Sequence, residues 1–223
     1  MELLEAMEKR HSVRSYDDRK IEGEVKSKLE NMIADCNKQS GLHMQLVLNE
    51  PKAFGNFRAH YGMFSGVKNY IALVGKKSPD LDETCGYYGE KVVLFAQQLG
   101  LNTCWVALTF SKVKEAFVIA DGEELCLVIA IGYGSNEGKQ HKSKSFEQVT
   151  KASGYIPDWF KKGVDAALLA PTAINQQKFK FILDGNKVEV KAGLGFNSKI
   201  DLGIAKYHFE IGAGTHNFQW KCR

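Results

Sequence analysis

Residues 87–107 read YYGEKVVLFAQQLGLNTCWVA, and this stretch predicts a helix that leads directly into a buried strand. Its apolar residues fall on one helical face, namely Tyr88, Val92, Phe95, Ala96 and Leu99. Gly100 is expected to end the helix, because glycine tolerates the left-handed conformation found after helix C-termini. The mostly apolar run Asn102–Ala107 then predicts a short strand, so a helix–strand unit should lie at the centre of the fold.

Further elements are predicted on both sides of this unit. On the N-terminal side, apolar spacing favours a helix over Gly23–Cys36 and strands over His43–Leu48 and Tyr70–Val74. On the C-terminal side, Ser111 is expected to cap a helix that reaches about Phe117. Leu125–Ile131, the longest apolar run, predicts a central strand, and a polar, lysine-rich loop is expected over 134–144.

The last third of the chain carries its own start and stop signals. Ser145 and Gln148 form a capping-box pattern, and Pro157 suits the first turn of a helix that reaches about Ala170. Asp184-Gly185-Asn186 predicts a hairpin turn between two strands. The remaining predicted elements are strands over Phe179–Leu183 and Val188–Val190, a helix from Ser198 to about Ile211, and a terminal strand over Phe218–Lys221.

Helices and strands alternate without a regular β–α–β rhythm, which is typical of the α+β class: a mostly antiparallel sheet with helices packed over it. A length of 223 residues suits a single domain over 1–223. Because each side of a seam at 151–157 begins with a helix and continues into a strand, two related halves, 1–150 and 151–223, are a further hypothesis.

Composition excludes several classes of protein. Hydrophobic residues make up 44% and charged residues 25%, which is ordinary for a globular domain and argues against disorder. No apolar run approaches the roughly 20 residues that cross a bilayer, and the acidic N-terminus does not look like a signal peptide. We therefore expect a cytoplasmic protein with no membrane contact, in which the five cysteines (Cys36, Cys85, Cys104, Cys126, Cys222) are reduced and mostly buried.

Several common sites are missing from the sequence. It has no H-E-x-x-H, no Cys/His cluster with zinc spacing, no G-x-S-x-G and no P-loop, so we predict no metal and name no catalytic side chain. The glycines around Tyr133 and Leu194 lack the third glycine of a dinucleotide fingerprint and are interpreted as turns. His208, in the last predicted helix, is expected to be partly buried or at the surface.

Three segments carry chemistry of interest, and each has a simpler alternative. Arg10-His11-Ser12-Val13-Arg14 offers two guanidinium groups and a hydroxyl that suit a phosphate, or it is a solvated basic turn. Ala170-Pro171-Thr172-Ala173-Ile174-Asn175-Gln176-Gln177 offers amide donors and acceptors that suit the pyrimidine end of a flavin, or it is a helix C-terminal turn. Gly86–Glu90 with Gly100–Trp105 presents backbone N–H groups at a strand edge, or is only core packing.

Together these segments resemble the nitroreductase family. Arg10–Tyr16 is similar to its opening R-x-S-x-R-x-[FY] motif, 89–105 to its central helix followed by G-L-x-T-C-W, Gly132-Tyr133 to its I-G-Y turn, and Ala170–Gln177 to its A-P-S-A-x-N-x-Q motif. In most members the last motif follows the arginine motif closely, whereas here that place holds the degenerate 36–41. Lys178-Phe179 also replaces the usual Pro-Trp, so the chain resembles a divergent branch with its site rebuilt from the second half.

The resemblance implies FMN as cofactor and a ping-pong transfer of hydride from NAD(P)H through FMN to a small-molecule electron acceptor such as a nitro compound or quinone. It assigns the FMN phosphate to Arg10, His11, Ser12 and Arg14, with added charge from Lys142 or Lys144. It assigns the ribityl chain or ring to Thr172, Ala173, Asn175 and Gln177, and the isoalloxazine to Trp105, Val106, Ala107 and Leu108. A homodimer is implied, although a monomer could supply both contributions from one chain.

Two rival functions remain open from the sequence. A flavin carrier or sensor without turnover would bind the same cofactor. A basic interaction module would bind nucleic acid through Lys139, Lys142 and Lys144, but the basic loop is short and has no interleaved aromatic residues. We therefore expect no nucleic-acid partner.

Overall fold

The computed structural model describes residues 1–55 and 57–221. Its helices are α1 (Leu3–Lys9), α2 (Gly23–Ser40), α3 (Phe57–Tyr61), α4 (Leu81–Gln98), α5 (Phe146–Val149), α6 (Asp158–Ala167) and α7 (Ser198–Ala213), with a 3-10 turn at Ala173–Asn175. Its strands are β1 (Gln45–Val47), β2 (Tyr70–Lys76), β3 (Asn102–Val106), β4 (Glu123–Gly132), β5 (Thr150–Lys151), β6 (Phe179–Asp184), β7 (Lys187–Ala192) and β8 (Gln219–Trp220).

The first sheet is antiparallel throughout, in the order β1-β2-β4-β3, with the predicted central strand β4 in an inner position. Side chains of β2 alternate between two cores, as a strand buried on both faces requires. Ile71 and Leu73 join the core formed with α2 and α4. Ala72 and Val74 join a second core on the opposite face.

The second sheet, in the order β5-β6-β7-β8, is mixed. β6 and β7 form the predicted antiparallel hairpin, and Gly185 at its turn has φ 62°. The short strands β5 and β8 pair in parallel with β6 and β7. α7 covers this sheet, and the rings of Phe181 and Phe209 stack there with centroids 4.7 Å apart.

The helices α4 and α7 cross at the centre of the molecule because two glycines let their backbones approach closely. A Cβ atom on Gly203 would lie 2.0 Å from the carbonyl oxygen of Glu83, and one on Gly86 would lie 2.1 Å from that of Ile200. Neither position therefore accommodates a side chain without a shift of the helices. The crossing brings side chains of residues 81–98 and 198–213 together behind the site described below.

The α+β class and most predicted elements are confirmed, with three differences. The helix expected over Ser111–Phe117 is wrong: this segment forms turns, with the Ala116 N–H donating to the Val113 carbonyl, and other parts of the chain hold its two ends. The Ser111 N–H donates to the Ala53 carbonyl, and the neighbouring Val118 N–H donates to the Gln45 side chain. The N-cap of α7 is Asn197, with Ser198 as the first helical residue. The second sheet contains parallel pairs that were not predicted.

The cysteines within the described part of the chain are free thiols, as expected, and Cys36, Cys85 and Cys104 are buried. Cys222 lies outside the described residues. Across residues 1–55 and 57–221, no helix combines the length and the apolar character needed to cross a bilayer.

Candidate functional site

Two adjoining pockets lie where the segment after α1 meets residues 171–175, and one of them also reaches the N-terminus of α7. The central pocket, about 270 Å³, is lined by Ser12, Arg14, 104–109, Leu127, 171–174, Phe196, Asn197, Ile200, Asp201 and Ile204. The basic pocket, about 710 Å³, is lined by Arg10, His11, Ser12, Arg14, Ser15, Met63, Asn136, Gly138, Lys139, His141, Pro171, Thr172, Ile174 and Asn175. The two pockets adjoin, because five residues line both: Ser12, Arg14, Pro171, Thr172 and Ile174.

The chain after α1 positions the basic pocket. Ser12 pairs with Thr103 in a parallel bridge, and the Val13 N–H donates to the Thr103 carbonyl at 3.0 Å, so the segment is fixed to the edge of β3. This contact places Ser12 and Arg14 at the junction of the two pockets. Burial, followed by the nearby Arg10 charge, lowers the pKa of His11 below its usual value.

Arg10 differs from Arg14 because its side chain is only 2% exposed. Its Nε lies 3.8 Å from Oε1 of Glu90, a carboxylate with no exposed surface. Glu90 also accepts one hydrogen bond from Trp105 Nε1 at 3.0 Å, and its Oε1 lies 2.9 Å from Nε2 of His208. Arg10 therefore joins the basic pocket to a buried charged cluster beneath it.

The end of β3 forms one wall of the central pocket. Trp105, Val106, Ala107 and Leu108, which the resemblance assigns to the isoalloxazine, all line this pocket. Leu108 is 66% exposed and stands at the mouth, whereas Val106 is buried in the second core. The side chains of this wall are therefore buried at its base and exposed at its rim.

Residues 171–177 form the opposite wall, and their backbone is unusual. Ile174, Asn175 and Gln177 have positive φ angles of 47°, 55° and 44°. Left-handed backbone is unfavourable for a β-branched residue such as Ile174 and persists only where surrounding contacts hold it. Such strain is concentrated at functional sites in proteins, which fits the position of this loop on both pockets.

Three residues predicted for the cofactor site line neither pocket. Their contacts hold this loop in place. Lys144 Nζ donates to the carbonyl oxygens of Gln176 and Gln177 at 2.8 and 3.0 Å. Gln177 is buried, and its side chain accepts from the Lys144 N–H and donates to the Lys142 carbonyl. Lys142, Lys144 and Gln177 thus support the loop from behind, whereas Thr172, Ala173 and Asn175 face a pocket.

Asp201 is a residue that sequence reasoning missed. It is 3% exposed, lines the central pocket, and accepts from the Ala173 N–H at 2.9 Å and from Gln176 Nε2 at 2.7 Å. Burial raises the pKa of Asp201 to about 6, and these two hydrogen bonds oppose the rise. Asp201 comes three residues after the predicted cap Ser198, a position at which an acidic side chain is explained by the helix N-terminus alone. Nothing in the sequence therefore indicated its contact with the loop.

Lys139 and His141 also line the basic pocket, where the sequence had suggested Lys142 or Lys144. A lysine-rich loop gives no sign of which side chain turns inward. His208 was expected to be at most partly buried, but it is fully buried, because it faces Glu90 across the α4–α7 crossing.

Comparisons with known proteins agree with this architecture. A family model described as "Putative TM nitroreductase" matches residues 2–213. A solved structure from Thermotoga maritima, described as a putative nitroreductase, matches with TM-score 0.70 and 24% identity over 97% of this chain and 85% of that chain. No match was found among curated proteins.

More distant structures share part of the fold. A putative NADH dehydrogenase/NAD(P)H nitroreductase from Parabacteroides distasonis matches with TM-score 0.53 and 21% identity, over 66% of this chain and 95% of that chain. A putative nitroreductase from Desulfovibrio desulfuricans, solved in complex with FMN, matches with TM-score 0.52 and 16% identity, over 67% and 95% of the two chains. The family model spans nearly the whole sequence, and the chain therefore belongs to the nitroreductase family.

Proposed function

We propose that this protein is an FMN-dependent oxidoreductase that transfers hydride from NAD(P)H to an electron-poor acceptor such as a nitro compound or a quinone. The observation that carries the proposal is that two adjoining pockets, which share Ser12 and Arg14 in their linings, set a cationic end beside an apolar wall. Arg10, Ser12 and Arg14 line the cationic end, and the segment 105–108 lines the wall. A phosphate ester attached to a flat heteroaromatic ring matches both ends. The complex of the Desulfovibrio relative with FMN supports this choice of cofactor.

The described residues fit such a ligand on chemical grounds. A guanidinium Nε that is buried without a hydrogen-bond partner in the described structure, as in Arg10, is costly unless an anion compensates it. Arg14, Lys139 and the Ser12 hydroxyl add positive charge and a donor around the same pocket. The basic pocket therefore suits the phosphate and the central pocket suits the ring.

FMN, when bound, would accept a hydride from NAD(P)H and pass it to the acceptor. The chain's own residues would bind and orient the reactants. The 171–174 segment and the 105–108 segment form facing walls, and Ile174 and Leu108 at the mouth are exposed apolar side chains against which a flat acceptor could rest. We assign no proton-transfer role to any side chain.

The decisive experiment follows the visible flavin absorbance of the FMN-loaded protein under anaerobic conditions. Adding NADH or NADPH should bleach the flavin, and a nitroaromatic or quinone should restore its colour over repeated cycles. A flavin that neither nucleotide reduces would favour a carrier or sensor. A colourless protein that binds RNA or DNA with a steep salt dependence would favour the nucleic-acid rival.

We further propose that a single chain completes each site. Both pocket walls belong to the same polypeptide: Arg14 comes from the half 1–150, while Thr172 and Asp201 come from the half 151–223. The homodimer and the cytoplasmic location stay predictions from the sequence. If two copies associate, we expect each to keep its own site.

A further inference from the structure

Three ionisable side chains meet in the interior behind the basic pocket, where the end of α1 meets α4 and α7: Arg10, Glu90 and His208. The Arg10 side chain is 2% exposed, and those of Glu90 and His208 have no exposed surface. Removing charged groups from water costs several kcal/mol per ion unless partners compensate them. The number of protons in this cluster therefore decides its net charge.

The hydrogen bonds of His208 fix that number. Its Nδ1 lies 3.1 Å from the Ala166 carbonyl oxygen, which only accepts, so Nδ1 carries a hydrogen. Its Nε2 lies 2.9 Å from Oε1 of Glu90, and two facing lone pairs at that distance would repel. A proton must therefore lie between Nε2 and Oε1, which leaves the Glu90–His208 pair with no net charge.

The neutral Glu90–His208 pair leaves the positive charge of Arg10 without a negative charge to balance it. Arg10 Nε is 3.8 Å from Oε1 of Glu90, beyond hydrogen-bond distance, and it has no hydrogen-bond partner among residues 1–55 and 57–221. Because His208 already neutralises Glu90, the positive charge of Arg10 remains uncompensated. Arg10 is among the residues that line the basic pocket, so this charge lies beside the place where an anion would bind.

We infer that His208 is a positioning residue for anion binding: it neutralises Glu90, and the buried Arg10 guanidinium thereby stays available to a phosphate monoester in the basic pocket. The inference rests on the proposed function, with the FMN phosphate as that monoester. His208 itself would not touch the ligand, because it lines neither pocket. Its effect passes through the charge balance between Glu90 and Arg10.

The test compares the affinities of the full-length apoprotein for FMN and for riboflavin, which lacks the phosphate, by quenching of flavin fluorescence. In His208→Gln, the Glu90 carboxylate would lose its positive partner and neutralise Arg10 instead. We expect the preference for FMN over riboflavin to fall by on the order of tenfold. In the double variant Glu90→Gln/His208→Gln the carboxylate is also gone, so the preference should return.

Lys206→Gln serves as the matched control. Lys206 lies on the same helix and bridges α7 to α4 through Glu83 at 2.8 Å, but it lines neither pocket. Its loss should lower stability without changing the ratio of the two affinities. An unchanged ratio in His208→Gln, or a double variant whose ratio does not rise above that of the single variant, would overturn the inference.

A measurement on the unaltered protein covers the case in which the variants do not fold. Nitrogen-15 NMR of the imidazole should show hydrogens associated with both ring nitrogens of His208. A bare Nε2 facing an ionised Glu90 carboxylate, identified by the carbon-13 shift of its carboxyl carbon, would overturn the inference. Absence of any flavin binding by the wild-type protein would instead contradict the proposed function, so the two failures are distinguishable.

Discussion

Replacing Asp201 with asparagine should change how the stability of the apoprotein depends on pH. Asp201 is 3% exposed, and burial raises its pKa from 3.8 to about 6 in the folded protein. Since one pKa unit corresponds to 1.36 kcal/mol, this rise is equivalent to about 3 kcal/mol. The folded protein therefore holds the Asp201 proton more tightly than the unfolded chain does.

The direction of the pH dependence follows from the difference in the pKa of Asp201 between the folded protein and the unfolded chain. The stabilisation from the protonated carboxyl is fully present below the unfolded pKa and is lost as pH rises through the folded pKa. The wild-type protein should thus lose up to about 3 kcal/mol of unfolding free energy relative to Asp201→Asn between about pH 4 and pH 7. Other groups titrate in both proteins and cancel in the comparison.

The assay is denaturant unfolding of both apoproteins at a series of pH values, monitored by tryptophan fluorescence. Glu123→Gln gives a control of opposite sign, because a hydrogen bond from His43 lowers the pKa of Glu123. Its stabilisation should be present above the unfolded pKa and lost as pH falls. A difference between wild type and Asp201→Asn that stays constant with pH, or that moves in favour of wild type as pH rises, would refute the burial argument.

Three further predictions concern the pocket and the helix crossing. Arg14→Ala should weaken FMN binding by about ten- to a hundredfold through loss of a charge-assisted contact, and an unchanged dissociation constant would argue against the phosphate assignment. Gly203→Ala should lower the unfolding free energy by about 1–3 kcal/mol or more, because its Cβ would meet the Glu83 carbonyl; unfolding curves that coincide with wild type would disprove this contact. Ile174→Asn should raise stability by on the order of 1 kcal/mol, since Ile174 is 89% exposed at φ 47°, and a fall would show that the side chain contributes more than its strain costs.

The elements predicted correctly are those whose formation depends on local pattern. The periodic apolar face of α4, the long apolar run of β4 and the Asp184-Gly185-Asn186 turn each predict their structure from a few neighbouring residues. The segment after Ser111 has an equally good capping signal. It forms turns instead of a helix, and the distant Gln45 side chain bonds both the N–H and the carbonyl of Val118 just beyond its end. Tertiary contacts of this kind are not encoded in spacing.

The candidate site likewise combines residues that the sequence predicts with contacts that form only in the folded protein. Arg14, Ser12 and Thr172 could be proposed from side-chain chemistry and from the resemblance, and each lines a pocket. The contact of Asp201 with the 171–177 loop and the contact of Glu90 with His208 could not, because they join segments 25 to 118 residues apart. They exist only once α7 has packed against α4 and the 171–177 loop.

The central claim is that the two halves of one chain enclose one FMN. Native mass spectrometry of the FMN-reconstituted protein measures both the number of chains and the number of cofactors in each particle. We predict that a particle with a single chain retains one FMN, as does each chain of a larger particle. FMN carried only by particles of two or more chains and lost from every single chain, or no FMN retained after reconstitution, would contradict the account.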